Sequence, residues 1–196
     1  MKINTRKMAM MAMLAAISVV LVIIHVPFPP APFLEYDPAD IPILIGAFAF
    51  GPTAGLLITV VVSVVQGFTL SSGSGIIGVV MHILATGSFV LVAGSIYSRK
   101  KTRKSAVLGL SLGALTMTVM MVLMNLVFTP IFMNTPIEAV AKMLLPIIIP
   151  FNLMKAGINA VVTLVLYKAV SRFLKEKTPK LGKKDVEPID TVAKKS

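Results

Sequence analysis

The chain has 196 residues, of which 56% are hydrophobic and 14% charged, with a mean hydropathy of +0.90. That composition describes an integral membrane protein with room for about six crossings of roughly 20 residues and no sizeable soluble domain. The absence of Cys excludes disulfides and thiolate chemistry, and two His with few intramembrane carboxylates argue against a zinc or di-iron site.

The formal charge of +11 could suggest a nucleic-acid partner, but the basic residues are segregated. Seventeen of the nineteen fall in three blocks: Lys2, Arg6 and Lys7; Arg99, Lys100, Lys101, Arg103 and Lys104; and the run that begins at Lys168. Such blocks mark the cytoplasmic side of a membrane protein, which gives an N-in, C-in orientation and no role for nucleic acid. Met1 to Val26 has the basic start and apolar middle of a signal peptide. Its apolar stretch is long, however, and no small-residue cleavage site follows, so it reads as a retained first helix.

In chain order, the first helix is predicted over residues 7 to 25. The loop from Val26 to Ala39 carries four Pro before Glu35 and Asp37, cannot be helical, and belongs outside. Asp40 is a candidate N-cap for a short second helix, Ile41 to Phe50, too short to span perpendicular to the bilayer. Gly51-Pro52 turns the chain into a third helix, about Thr53 to Leu70. Ser71 to Gly75 reads as an external loop, and a fourth helix covers about 76 to 97. The basic loop follows, then a fifth helix over about 105 to 128, ended by Thr129-Pro130. A short amphipathic stretch closes at Pro146, and a sixth helix runs from about Pro150 to Leu174. The fold expected is an all-α, six-helix transmembrane domain over residues 1 to 174, followed by a polar, Lys-rich cytoplasmic tail over 175 to 196. No internal repeat is evident, which leaves the inverted-repeat plan of secondary transporters unsupported.

Lys155 stands out, in Ile149-Pro150-Phe151-Asn152-Leu153-Met154-Lys155, an apolar run with no charged neighbour in sequence. A lysine at membrane depth costs roughly 2.5–3.5 kcal/mol on translocon scales, so it persists where it faces protein interior, a wet cavity or a bound molecule. Asn152 lies one helical turn before it on the same face. Asn125, His82 and Gln66 are the other polar side chains at that depth, and each must find a partner or a ligand. Asn125, Asn152 and Lys155 fall toward the outer halves of their helices, beneath the Pro-rich loop. The expectation is a covered, outward-facing cup whose donors suit a neutral ring system with amide-like edges better than a metal ion or a phosphate.

Other motifs carry less. Gly73-Ser74-Gly75-Ile76-Ile77-Gly78 matches the dinucleotide fingerprint in letters, but follows a membrane helix and lacks the acidic residue about 20 positions on. Ser74 with His82 comes near an intramembrane hydrolase arrangement, a rival reading to ligand capture; a membrane scaffold without ligand is another. No G-x-x-x-x-G-K-[ST] occurs, so any ATP must be spent by a partner. Small residues recur at Ala9, Ala12 and Ala16, at Gly51 and Gly55, and at Gly109 and Gly113, the spacing that lets helix backbones approach in lipid. The 13 Met read as flexible core filler.

Phe33-Leu34-Glu35-Tyr36-Asp37-Pro38-Ala39-Asp40-Ile41-Pro42, with Gly46-Ala47-Phe48-Ala49-Phe50-Gly51-Pro52-Thr53-Ala54-Gly55 after it, resembles the loop-one and helix-two signature of the riboflavin-binding S components of energy-coupling factor (ECF) transporters. Ile149 to Lys155 resembles their helix-six signature, and the likeness runs from about Lys7 to Leu174. The resemblance implies a multi-pass protein of the bacterial plasma membrane that captures riboflavin from outside as transported substrate, with no cofactor and no catalytic residue. It implies vitamin contacts from Asn125, Asn152 and Lys155, with Leu34, Tyr36 and Asp40 as loop candidates and His82 and Gln66 as further wall candidates. Ala12 and Ala16 match the motif that docks on the transmembrane coupling subunit (EcfT), and two ATPase subunits supply the drive. Two places depart from the pattern: Gln66-Gly67 stands where relatives often carry a Lys-Asn pair, and His82 where they have Asn.

Overall fold

In the computed structural model, residues 5–69 and 75–176 are described, with side chains to residue 170. Among the described residues, five helices are long and apolar enough to cross a membrane. They are α1 (Thr5–Val22), α3 (Pro52–Thr69), α4 (Gly75–Arg99), α5 (Arg103–Met133) and the composite segment that ends the described chain. That segment comprises α6 (Ile137–Met143), a π-turn (Leu144–Ile148) and α7 (Ile149–Glu176). The sixth helix, α2 (Asp40–Phe50), has 11 residues and is about 17 Å long at 1.5 Å per residue. It is apolar all round because it is surrounded: every residue from Asp40 to Phe48 is buried, against α1, α3, α4 and α7. The four-helix contact makes α2 the centre of the main core, where Ile43, Leu44 and Ile45 meet Leu14, Ile58, Phe89 and Val90.

Glycines permit the closest approaches. A Cβ on Gly55 would lie 2.5 Å from Val90 Cγ1 and 2.6 Å from Ala47 Cβ, and one on Gly113 would lie 2.5 Å from the Phe89 ring. The packing role expected of these small residues is present, with one exception. Gly51 has open space around it and serves the turn out of α2, at φ +100, a conformation that a side chain disfavours.

Four local expectations change. The all-α expectation misses a hairpin in the proline loop: β1 (Val26–Phe28) pairs antiparallel with β2 (Ala31–Tyr36), Val26 opposite Tyr36, with an irregularity between Pro27 and Phe28. Prolines are tolerated because a two-stranded ribbon is all edge, with N–H groups it does not need to pair. Asp40 is not the N-cap of α2 but its first residue; the carboxylate that meets a free N–H there is Asp37, whose Oδ1 accepts from Ala39 N at 3.1 Å. Thr129-Pro130 does not end α5, which continues to Met133 with Pro130 inside its last turns and stops at Asn134 in the left-handed conformation. At the other end, Thr102 caps α5 by accepting from Ser105 N at 3.2 Å. Nor does Pro146 close the amphipathic stretch. Pro150 has no N–H to give to the fourth residue back, and the helix widens to a π-turn in which Ile149 N bonds Leu144 O, so α6 runs into α7.

Candidate functional site

A cavity of about 410 Å³ lies between the C-terminal halves of α3 and α5 and the N-terminal halves of α4 and α7, with the hairpin over it. That volume falls in the range of small-molecule sites. The cover is fixed by its own small core: Ala31 and Leu34 pack with Val140, Ile148 and Phe151, and the Phe28 and Phe151 rings stand 5.3 Å apart. The π-turn thus supplies the ledge on which the hairpin rests.

The sequence candidates divide in two. Leu34, Gln66, His82, Asn125, Asn152 and Lys155 all line the cavity. Tyr36 and Asp40 do not; they stand behind its wall. Asp40 is fully buried at the start of α2, where Oδ1 accepts from Thr86 Oγ1 at 2.9 Å and Oδ2 from Asn159 Nδ2 at 3.3 Å. Tyr36 OH donates to Asn159 Oδ1 at 3.2 Å. Burial, with the Asp37 carboxylate nearby, pushes the Tyr36 phenol above its ordinary value and keeps that donor protonated.

Lys155 has a charged neighbour after all. Its Nζ lies 2.8 Å from Asp37 Oδ2, in the segment that joins the hairpin to α2, and 3.4 Å from the Glu35 carbonyl, in β2 itself. Asp37 is 118 residues away in sequence, so only the fold reveals the pair. The ammonium is therefore neutralised by protein while still bordering the cavity, and the pair ties the cover to α7. The amides are also partly engaged: Asn125 Nδ2 donates to Met121 O at 2.8 Å and its Oδ1 accepts from Thr129 Oγ1 at 2.9 Å. Asn152 Nδ2 donates to Ile148 O at 2.8 Å, at the end of the π-turn.

Gln66 behaves differently, since its Oε1 is buried, on the cavity wall, and has no hydrogen-bond partner among the described residues. Such an atom is an acceptor waiting for a donor. Beside it, Gly67 lets α3 approach α4 closely, as a Cβ there would collide with Val79. On the facing helix, His82 Nδ1 lies 2.7 Å from Ser63 Oγ and Nε2 3.4 Å from Asp40 Oδ1. Sequence reading missed Asp37, Ser63, Asn159 and Thr129. The last three look like ordinary small polar residues of apolar helices; only the Asp-Pro-Ala-Asp spacing, with both carboxylates next to a membrane helix, carried a signal.

Ser74, and with it the start of the glycine fingerprint, lies outside the described residues, whereas Gly75 to Gly78 open α4 directly. Ala12 and Ala16 are exposed along α1, flanked by exposed Met13 and Ile17, on the side turned away from Leu14 and Ser18 in the core.

The profile of the family described as ECF transporter, substrate-specific component, matches residues 6–167. The chain belongs to this family. It is 33% identical over 156 residues to the riboflavin transporter RibU of Staphylococcus aureus (strain TCH60), covering 76% of this chain and 81% of the relative. It is 31% identical to the riboflavin transporter RibU of Streptococcus thermophilus, over 87% of this chain and 85% of that one. Among solved structures, the S component of a bacterial ECF transporter superposes with a TM-score of 0.75 at 32% identity, covering 88% of this chain and 99% of the other. S components are membrane proteins that serve transport, and the apolar helices described above agree with that.

Proposed function

We propose that the chain is the substrate-capture subunit of an ECF importer and that it binds riboflavin from outside the cell. What carries the reading is the convergence of Gln66, Asn125, Asn152 and Lys155, from three helices, on one covered cavity. Riboflavin has a pyrimidine-dione edge with an imide N–H between two carbonyls and a chain of hydroxyls. The orphaned Gln66 Oε1 accepts from the imide, while Lys155 and the two Asn serve carbonyl and hydroxyl groups. Met117, Met121, Phe33 and Phe151 supply the apolar walls for the ring. Leu34 holds the cover against the ligand; Tyr36 and Asp40 position the residues behind it. Scavenging at nanomolar concentration requires roughly 12 kcal/mol, which a closed cover over a largely enclosed ring can provide.

The architecture that goes with this is six membrane segments, α2 being the short central one, oriented N-in and C-in in the bacterial plasma membrane, with residues 175 to 196 as a cytoplasmic tail. Support comes from the segregated basic residues and the hairpin on the opposite side. The exposed stripe at Ala12 and Ala16 docks on the coupling subunit EcfT, with two ATPases as the energy source. Purification tests the reading: protein carrying flavin absorbance, or quenching riboflavin fluorescence at nanomolar concentration, is the expected result. Colourless protein indifferent to riboflavin and selective for another vitamin would sink it.

A further inference from the structure

His82 stands between Asp40 of α2 and Ser63 of α3, with its ring on the cavity wall. The proton positions follow from the distances. Ser63 Oγ lies 2.7 Å from the Thr59 carbonyl oxygen and 2.7 Å from His82 Nδ1. Two oxygens at that separation need a proton between them, and the carbonyl has none to give, so the single Ser63 proton goes to Thr59. Ser63 then has only a lone pair for His82, and Nδ1 must donate. At the other side of the ring, Nε2 is buried and makes no hydrogen bond within ordinary geometry among the described residues, yet it faces Asp40 Oδ1 at 3.4 Å. A bare Nε2 lone pair against a buried carboxylate oxygen is repulsive on both sides, and a protonated one is an ion pair.

We propose that His82 sits in the loaded protein as the imidazolium, the second cation of the site, and that ligand binding requires its proton. The inference rests on the riboflavin reading for its ligand but not for its protonation state. Charge balance within the described residues supports it. Around His82, α2 contributes Asp40, the segment before it Asp37, and α7 Lys155 with the neutral Asn159. Further polar neighbours are neutral: Ser63 and Gln66 from α3, Thr86 from α4 itself and Asn125 from α5. His25 and Glu35 lie exposed at the cavity rim. Two buried carboxylates against Lys155 alone leave one negative charge in an apolar surround, and a protonated His82 cancels it.

The experiment uses the full chain in detergent with isotope-labelled histidine. His25 is the only other histidine, so His25→Gln leaves one ring to observe. The 15N signature at the pH of the binding assay should be that of two protonated ring nitrogens. A neutral ring overturns the proposal, whether its single proton sits on Nδ1 or on Nε2, the latter being the arrangement in which Ser63 donates to Nδ1. Riboflavin affinity measured against pH should fall by up to about tenfold per pH unit once the proton is lost, and His82→Asn should flatten that dependence. An equal pH dependence in both proteins also overturns it. Should the chain bind no riboflavin while the two-proton signature persists, the vitamin reading fails and the charge assignment stands.

Discussion

Replacing Asp37 with Asn tests whether the Lys155 ion pair holds the cover in place. The pair is short, 2.8 Å, and both side chains are at most 10% exposed, so solvent screens it little. Removing one member of a buried pair costs about 3–5 kcal/mol, because the remaining charge stays behind in a medium that solvates it poorly. The amide can still accept from the ammonium, so the lower part of that range applies. If the loss falls wholly on the covered form, riboflavin affinity drops by about a hundredfold or more. The assay is a double-mutant cycle read twice, by riboflavin titration and by thermal unfolding without riboflavin, over Asp37→Asn, Lys155→Met and both together. Each single change should lower stability without ligand; the double should recover most of that stability while binding stays weak, because the charges leave together but the ligand donor is lost. If Asp37→Asn leaves both readings within twofold of the parent, the pair is not a latch and the cover is held by its apolar core alone.

Lys155→Ala should weaken riboflavin binding by more than tenfold in the same titration; unchanged affinity would remove it from the site. Gln66→Leu should cost binding while sparing or raising the stability of the empty protein, since the change deletes a buried acceptor with no partner. A loss of stability comparable to the loss of binding would mean that Gln66 Oε1 is satisfied some other way. Ala12→Trp together with Ala16→Trp should leave riboflavin affinity intact, because both positions are exposed, yet abolish uptake by cells; retained uptake would refute the docking role. Gly113→Val should lower thermal stability by about 1–3 kcal/mol through overpacking against Phe89, with no direct contact to the cavity.

The sequence reading succeeds where one local feature determines the outcome. Polar side chains in apolar helices are costly enough that their positions suggest a common destination, and Gln66, His82, Asn125, Asn152 and Lys155 do line one cavity. Helix boundaries failed at prolines for a related reason. Pro130 and Pro146 read as terminators because each lacks an N–H, but a helix near its end has few carbonyls left to satisfy, and a π-turn can absorb the mismatch of two prolines four residues apart. The hairpin was invisible because its strands are short and proline-rich, and its stability comes from Val140, Ile148 and Phe151, over a hundred residues on.

The division of the acidic residues was equally hidden, and it bears most on mechanism. Asp37 and Asp40 are three residues apart in one loop-to-helix junction, yet they serve different layers. Asp37 faces the cavity and Lys155, whereas Asp40 turns inward to Thr86, Asn159 and His82. Because one short junction carries both carboxylates, the contacts of the cover and those of the cavity wall are tied to each other. Lifting the hairpin strains the Asp37 pair, and through Ala39 and the start of α2 it disturbs the Asp40 network. Tyr36, reaching from β2 to Asn159, adds a second tie between the same two layers. On the riboflavin reading, opening the cover would also disturb the wall residues proposed to hold the ligand, so release would follow from the same polar contacts that make capture tight.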